Sequence, residues 1–273
     1  MTSYAVRSRT AVVAATAVAA AVALVLAGCG ATSGKPEPLG AQGSSQPTAQ
    51  RTLTVFAAAS LQKPFEQISR AFEGSHPGVT VRFSFGGSSG LVAQLSEGAP
   101  ADVLATANEQ TMAKAVADDL VEGTPTPFAS NTLQIVVPAD NPARISSLAD
   151  LTRAGTKVVL CAPAVPCGAA SAAVEKAAGV DLTPVSEEQS VTDVLGKVRS
   201  GEADAGLVYV TDVASAGNEV TGIDFPEAKS AVNTYPIATL RDAADASLAA
   251  EFVEAVTGTQ GLETLADAGF TAP

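Results

Sequence analysis

From Thr52 onward, short apolar runs alternate with stretches whose apolar residues recur every three or four positions. Thr52 to Ala58 is compact, apolar and rich in β-formers, and the segment after it places Leu61, Phe65, Ile68 and Phe72 on one helical face. Proline fits only the first turn of a helix, so Pro64 puts the regular start near Lys63. Val79 to Phe85 alternates as a strand, Leu91 to Ser96 opens a second helix, and Ala101 to Ala105 is a third short strand. A helix through Met112, Val116 and Leu120 follows. This βαβαβα order predicts a parallel sheet covered by helices.

After Pro125-Thr126-Pro127 the pattern restarts. Strands are predicted at Thr132 to Val137, Lys157 to Cys161, Ala205 to Val210 and Tyr235 to Leu240. Helices are predicted from about Cys167 to Ala178, from Val191 to Ser200 with Gly201 as the stop, and from Ala246 to Thr257. Two α/β sheets joined by more than one crossover make a two-lobed protein with a cleft. In such sheets ligands sit at the carboxyl ends of strands, facing helix N-termini.

The N-terminus departs from this pattern. Arg7 and Arg9 precede an uncharged apolar run from Ala11 to Leu26, which at 16 residues is short for a membrane span and right for a secretory signal. It ends in Leu26-Ala27-Gly28-Cys29, which resembles the bacterial lipobox, where the cysteine is acylated and becomes the new first residue. Two or more acyl chains on Cys29 would hold the protein at the extracytoplasmic face of a cell membrane. Residues 29–51 are mostly Gly, Ser, Pro, Thr, Gln and Ala, with Leu39 the one large apolar residue, and read as a flexible tether.

The formal charge is −12, and losing Arg7 and Arg9 with a signal peptide at 1–28 makes it −14. No basic cluster remains, which argues against nucleic acid as a partner. An acidic protein that binds an anion must use local dipoles against its own field. Besides Cys29 there are only Cys161 and Cys167. Outside the membrane, two thiols six positions apart read as a disulfide rather than a metal site.

Four strand-to-helix junctions have what an anion site needs: Phe56-Ala57-Ala58-Ala59-Ser60, Phe85-Gly86-Gly87-Ser88-Ser89-Gly90, Val165-Pro166-Cys167-Gly168 and Gln189-Ser190-Val191. Each combines small residues with a helix start, whose free N–H groups carry roughly half a positive charge. Taken singly, each has a plainer meaning. Ser60 reads as an N-cap. Gly-Gly-Ser-Ser-Gly reads as an ordinary loop and is not a P-loop, because no Gly-Lys-Ser/Thr follows. Val191 reads as core, and Tyr209 as packing at a strand end.

Their combination and order resemble the molybdate-binding proteins of ABC importers. The motifs that carry the resemblance are Phe-Ala-Ala-Ala-Ser-Leu at 56–61, Ser88-Ser89 and Gly-Ala-Pro-Ala-Asp-Val at 98–103. Val-Pro-Cys-Gly at 165–168, Leu-Val-Tyr at 207–209 and Tyr-Pro-Ile-Ala at 235–238 complete the set. The resemblance runs from about Leu53 to the C-terminus. It implies an α/β, two-lobed periplasmic-binding-protein fold of type II, each lobe a mixed, mostly parallel sheet flanked by helices. Lobe 1 would be 52–131 plus about 242–273, and lobe 2 about 132–241. Ligand contacts would come from the hydroxyls of Ser60, Ser88 and Tyr209 and the amides of Cys167 and Val191. Ser89 is an adjacent candidate. The chain departs from the commoner pattern at Cys167, where alanine is frequent, but a backbone donor does not depend on its side chain.

A deprotonated tetrahedral dianion needs only donors, whereas protonated phosphate also needs an acceptor. None of the five matched positions is Asp or Glu. Asp102 reads as a brace for a turn. The resemblance therefore implies a lipid-anchored, monomeric binder of molybdate or tungstate without a cofactor, serving an ABC permease and its ATPase. The rival reading is a binder of sulfate or another small tetrahedral oxyanion. An enzyme reading is poor. The one histidine, His76, lies in Ser75-His76-Pro77-Gly78, a solvated turn between helix and strand, and a Ser60–Lys63 pair has no further support.

Overall fold

The first strand, Arg51–Ala58 (β1), divides its side chains between two cores: Leu53, Val55 and Ala57 pack on one face, Phe56 on the other. This computed structural model describes residues 50–273. The expected signal peptide at 1–28, the expected acylation site Cys29 and nearly all of the expected tether at 29–51 lie outside the described residues. Among the described residues, no helix is long and apolar enough to cross a membrane.

A short 3-10 turn, Ala59–Leu61, leads into α1 (Gln62–Ser75), whose Phe65, Ile68 and Phe72 are buried at the predicted spacing. Then come β2 (Val79–Gly86), α2 (Ser88–Ser96), β3 (Val103–Ala105) and α3 (Glu109–Ala117). The strand β4 (Thr126–Asn131) ends one residue before β5 (Leu133–Pro138). The second half runs β6 (Val158–Cys161), α4 (Pro166–Ala178), β7 (Ser186–Glu188), α5 (Val191–Arg199), β8 (Ala205–Tyr209), α6 (Val210–Ala216) and β9 (Val220–Ile223). The chain closes with β10 (Asn233–Thr239), α7 (Ala246–Thr257) and α8 (Thr259–Asp267).

These strands form two 5-stranded sheets, ordered β2-β1-β3-β10-β4 and β7-β6-β8-β5-β9. In each sheet one strand, β10 or β5, runs against the rest, so both are mixed and mostly parallel. The opposing strand in each sheet adjoins a crossing between lobes. The chain leaves the first sheet through Thr132 and returns after β9 into β10. This corrects the expected second lobe of 132–241. Strand β10 pairs antiparallel with both β3 and β4, so residues 233–241 belong to the first lobe. The cause is non-local: β10 pairs with strands about a hundred residues earlier, which no pattern within 235–240 encodes.

Helices α2 and α3 cover one face of the first sheet through Leu91, Val92, Leu95 and Met112. On the other face α1 and α7 meet in an aromatic cluster, with Phe252 edge-on to Phe72 at 5.3 Å and to Phe65 at 6.2 Å. Such pairs add about 0.5–1.5 kcal/mol each beyond the area they bury. The C-terminal segment is tied to the same lobe by mutual backbone bonds between Ser130 and Thr271, at 2.7 and 3.0 Å. Asp102 acts as a brace: its carboxylate accepts from the N–H of Thr54 and of Ala244, each at 2.7 Å.

Candidate functional site

Four helix starts, two from each lobe, converge on one small cavity. From the first lobe come the 3-10 turn at Ala59–Leu61 and the start of α2, with Gly87 as N-cap and Ser88 as its first residue. From the second come α4, where Pro166 occupies the first position and Cys167 follows, and α5, which begins at Val191 after the N-cap Ser190. A proline at the first helical position removes an N–H that the helix cannot use and presets the backbone. Ser190 accepts from the Asp193 N–H at 3.3 Å, which holds the first turn of α5 in place. Cys167 and Val191 sit in first turns, where N–H groups have no intrahelical acceptor.

Ser60, Ser88, Cys167, Val191 and Tyr209 all line this cavity, whose volume is about 20 Å³. That is room for a water-sized group or a compact ion, not for a sugar or an amino acid. No lining residue is charged. Larger hollows exist, one of about 490 Å³ between α1, α6 and α8 and one of about 570 Å³ between α1, α7 and α8. The first also touches the starts of α1, α5 and α6, but Lys63, Glu66, Asp212 and Asp267 line it, and the second is lined by His76, Glu251 and Glu254, so neither offers an uncharged ring of donors.

Ser89 lies apart from the other candidates. Its hydroxyl donates to the Ala164 carbonyl at 2.6 Å, a bond from the first lobe to the second. Of the two serines, Ser88 is the one at the cavity, because Ser88 opens the helix with its side chain buried inward.

The three cavity hydroxyls are backed by further polar groups. Ser88 Oγ accepts from the Ala107 N–H at 3.0 Å, Ser60 Oγ shares a hydrogen bond with the Tyr235 hydroxyl at 3.0 Å, and Tyr209 Oη accepts from Asn233 Nδ2 at 2.9 Å. Tyr209 and Tyr235 are 1% and 0% exposed, with rings edge-on at 5.9 Å. Burial first, then the neighbouring Tyr235 and Asp212, pushes the Tyr209 hydroxyl well above its ordinary pKa, so it stays protonated. Tyr235 is raised too, by burial first and then by Asp212. Asp212 itself, in the first turn of α6, is pushed up to about 7 by burial, against the pull of the Tyr209 N–H at 2.9 Å. Sequence reasoning missed Asn233 and Asp212. A buried asparagine inside a strand was the available signal, since such a group must find partners.

The cleft is shut around the cavity. A Cβ on Gly87 would lie 1.9 Å from the Gln189 carbonyl oxygen of the other lobe, so only glycine permits this approach. Lys63 Nζ donates to the Ser215 carbonyl of α6, which spends that lysine on a lobe-to-lobe tie rather than on Ser60. His76 is at the far end of α1. It lies in the expected turn between helix and strand but is half-buried rather than solvated: its ring stacks on Phe72 at 4.0 Å and Nε2 lies 3.0 Å from Glu251 Oε2. Cys161 and Cys167 are joined as a disulfide with Cα atoms 5.7 Å apart, which ties the end of β6 to the start of α4. Gly168 completes that corner, since a Cβ there would lie 2.0 Å from the Ala162 carbonyl oxygen.

Two mixed sheets, two crossings and a donor-lined interlobe cavity define a two-lobed solute-binding protein. The chain belongs to the bacterial extracellular solute-binding proteins, whose family model matches residues 53–271. Among its relatives is the molybdate-binding protein ModA of Mycobacterium tuberculosis, 49% identical over 249 residues, covering 91% of this chain and 93% of that one. A putative ABC transporter substrate-binding lipoprotein of Bacillus subtilis is 31% identical, covering 91% and 94%. Among solved structures, the periplasmic molybdate-binding protein of Azotobacter vinelandii superposes with a TM-score of 0.71 at 22% identity, covering 81% of this chain and 99% of that one.

Proposed function

We propose that this protein captures molybdate, and tungstate with it, and delivers the anion to an ABC importer. It is a carrier and not an enzyme. The observation that carries the reading is the cavity itself: three neutral hydroxyls and two helix-start amides around a space of about 20 Å³ with no charged lining residue. Helix starts supply the positive potential that a chain of net charge −12 cannot supply globally. The 49% identity to a molybdate-binding protein supports this anion over other oxyanions.

In this reading Ser60, Ser88 and Tyr209 donate through side chains, Cys167 and Val191 through backbone N–H groups, and no cofactor takes part. Cys29 carries the lipid that keeps the monomer at the outer face of the membrane, where a permease coupled to a cytoplasmic ATPase receives the closed, loaded form. The lipobox-like Leu26-Ala27-Gly28-Cys29 and the polar stretch after it support that placement.

Sulfate is the second reading, because it shares the charge and shape of molybdate and differs in size. Titration calorimetry against molybdate, tungstate, sulfate and phosphate decides between them. The expected result is 1:1 binding of molybdate and tungstate with much weaker sulfate and phosphate. Sulfate binding as tightly as molybdate overturns the assignment.

A further inference from the structure

Each hydroxyl in the cavity can donate or accept, and a tetrahedral dianion requires all of them to donate. For Tyr209 and Ser88 a donor behind the oxygen bears on that direction. Asn233, buried on β10, donates from Nδ2 to the Ala107 carbonyl at 2.8 Å and to Tyr209 Oη at 2.9 Å. A carbonyl can only accept, so the Ala107 oxygen fixes which end of the amide faces both partners. The tyrosine oxygen is thus engaged as an acceptor, and its own proton must point elsewhere, to the cavity or to the neighbouring Tyr235 hydroxyl, which an anion in the cavity would outcompete. The N–H of Ala107 itself, in the preceding peptide unit, reaches Ser88, whose Oγ accepts from it at 3.0 Å. Asn233 thereby backs Tyr209 directly, and it reaches Ser88 only at one remove, through the residue Ala107 whose carbonyl it holds.

We infer that Asn233 is a positioning residue that sets the hydrogen-bond polarity of the site. By donating into Tyr209 from behind, it commits the phenolic proton to the cavity and restricts the site to oxyanions that carry no proton of their own. Hydrogen phosphate or hydrogen arsenate would bring an O–H against a wall of donors, and a buried donor left without an acceptor is costly. Without Asn233 the Tyr209 hydroxyl is free to turn and accept. This inference rests on the oxyanion reading above.

The test is a double-mutant cycle on the intact protein, comparing wild type, Asn233→Leu, Tyr209→Phe and the double variant. Each is titrated with sodium molybdate and with arsenate at a pH where arsenate keeps one proton. Asn233→Leu is expected to weaken molybdate by about tenfold while leaving hydrogen arsenate unchanged or tighter. In the Tyr209→Phe background the same change should cost molybdate less than about twofold, because the group it orients is gone. Independent, additive losses, or equal losses for both anions, overturn the inference and leave the molybdate reading standing. If wild type binds no molybdate, both fall. Should Asn233→Leu fail to fold, Asn233→Ala completes the same cycle, with melting temperature separating a packing defect from an altered anion ratio.

Discussion

Asn131 and Asn233 stand opposite each other in the β4–β10 ladder, and each sends its side-chain amide to a hydroxyl of the second lobe. Asn131 Nδ2 donates to Thr211 Oγ1 at 2.8 Å, and Asn233 Nδ2 to Tyr209 Oη at 2.9 Å. The pair sits where the two crossings run side by side, so the hinge carries matched polar ties instead of apolar packing alone. Both residues are buried, which makes an unpartnered amide expensive there. Removing the first tie by Asn131→Ala should destabilise the protein by about 1–3 kcal/mol, read as a lower denaturation midpoint. A midpoint unchanged from wild type would show that the tie contributes nothing.

The side-chain donors separate from the backbone ones on substitution. Ser60→Ala, Ser88→Ala and Tyr209→Phe each delete one hydroxyl proposed to donate to the anion, a bond worth roughly 1.5–3 kcal/mol. Each should weaken molybdate binding by about one to two orders of magnitude in calorimetry, with Ser89→Ala far milder because its hydroxyl is bound to Ala164. Val191→Ala should also be mild, since the amide survives. Wild-type affinity in all three hydroxyl deletions, with loss in Val191→Ala, would show the donor map to be wrong.

The Gly87–Gln189 contact predicts a block on closure. An added Cβ would meet the Gln189 carbonyl oxygen at 1.9 Å, and backbone on both sides cannot give way cheaply. Gly87→Ala should therefore weaken molybdate binding by about tenfold or more while the unliganded melting temperature barely moves. Small-angle scattering should show wild type contracting with molybdate and Gly87→Ala failing to do so. A variant that contracts normally refutes the clash as a determinant of closure.

Asp212 makes both stability and binding pH-dependent. Its folded-state pKa of about 7 lies above the reference of 3.8, so the folded protein holds this proton more tightly than the unfolded chain. Its stabilising contribution is complete below the reference value and is lost as pH rises through about 7. Asn in its place can still accept from the Tyr209 N–H but never ionises. Asp212→Asn should raise the melting temperature relative to wild type at about pH 8, with the gap narrowing towards about pH 5. Molybdate affinity in wild type should fall as pH rises through the same window, because a charge forms behind Tyr209, and the variant should flatten that profile. Parallel profiles in both proteins would remove Asp212 from the account.

The disulfide should matter more for shape than for affinity. A loop this short yields only about 2 kcal/mol in the chain-entropy model, so reduction should lower the melting temperature modestly. The Cys167 amide keeps its place at the helix start, and molybdate binding should drop only slightly. Two alkylatable thiols in unreduced protein would exclude the bridge in the exported form.

Much of this architecture is written in local pattern, and its gaps have physical causes. Helix α7 runs Ala246–Thr257 as its periodicity predicts, because Leu248, Phe252 and Val256 define one face. Helix α2 begins at Ser88 rather than at Leu91 because Gly87 caps it, although Gly-Gly-Ser-Ser-Gly has no apolar period. Strand β4 escaped notice because Pro127 reads as a breaker. It is tolerated there since β4 lies at the sheet edge, beside the register shift at Tyr235/Pro236. Four of the five cavity residues were visible at junctions between strand and helix, whereas Tyr209 read as packing and stood out only through the family resemblance. Asn233, Tyr235 and Asp212, which back those residues, come from elements far apart in sequence, and no local pattern encodes their meeting.

The return of the chain through β10 has a consequence for the order in which the molecule can be built. That strand lies between β3 and β4, yet it is synthesised only after every strand of the second sheet. Until it arrives, the growing chain has β3 and β4 with no partner between them, exposing open edges prone to wrong pairing. The second sheet, by contrast, is complete in one continuous stretch. Assembly is therefore expected to proceed from the inserted lobe outward, with the first-lobe sheet sealed last as β10 slides into its slot. A long-range pairing of this kind slows folding, and the slowest refolding phase should report on Tyr235 and on the Tyr209 ring packed against it rather than on the interior of the second sheet.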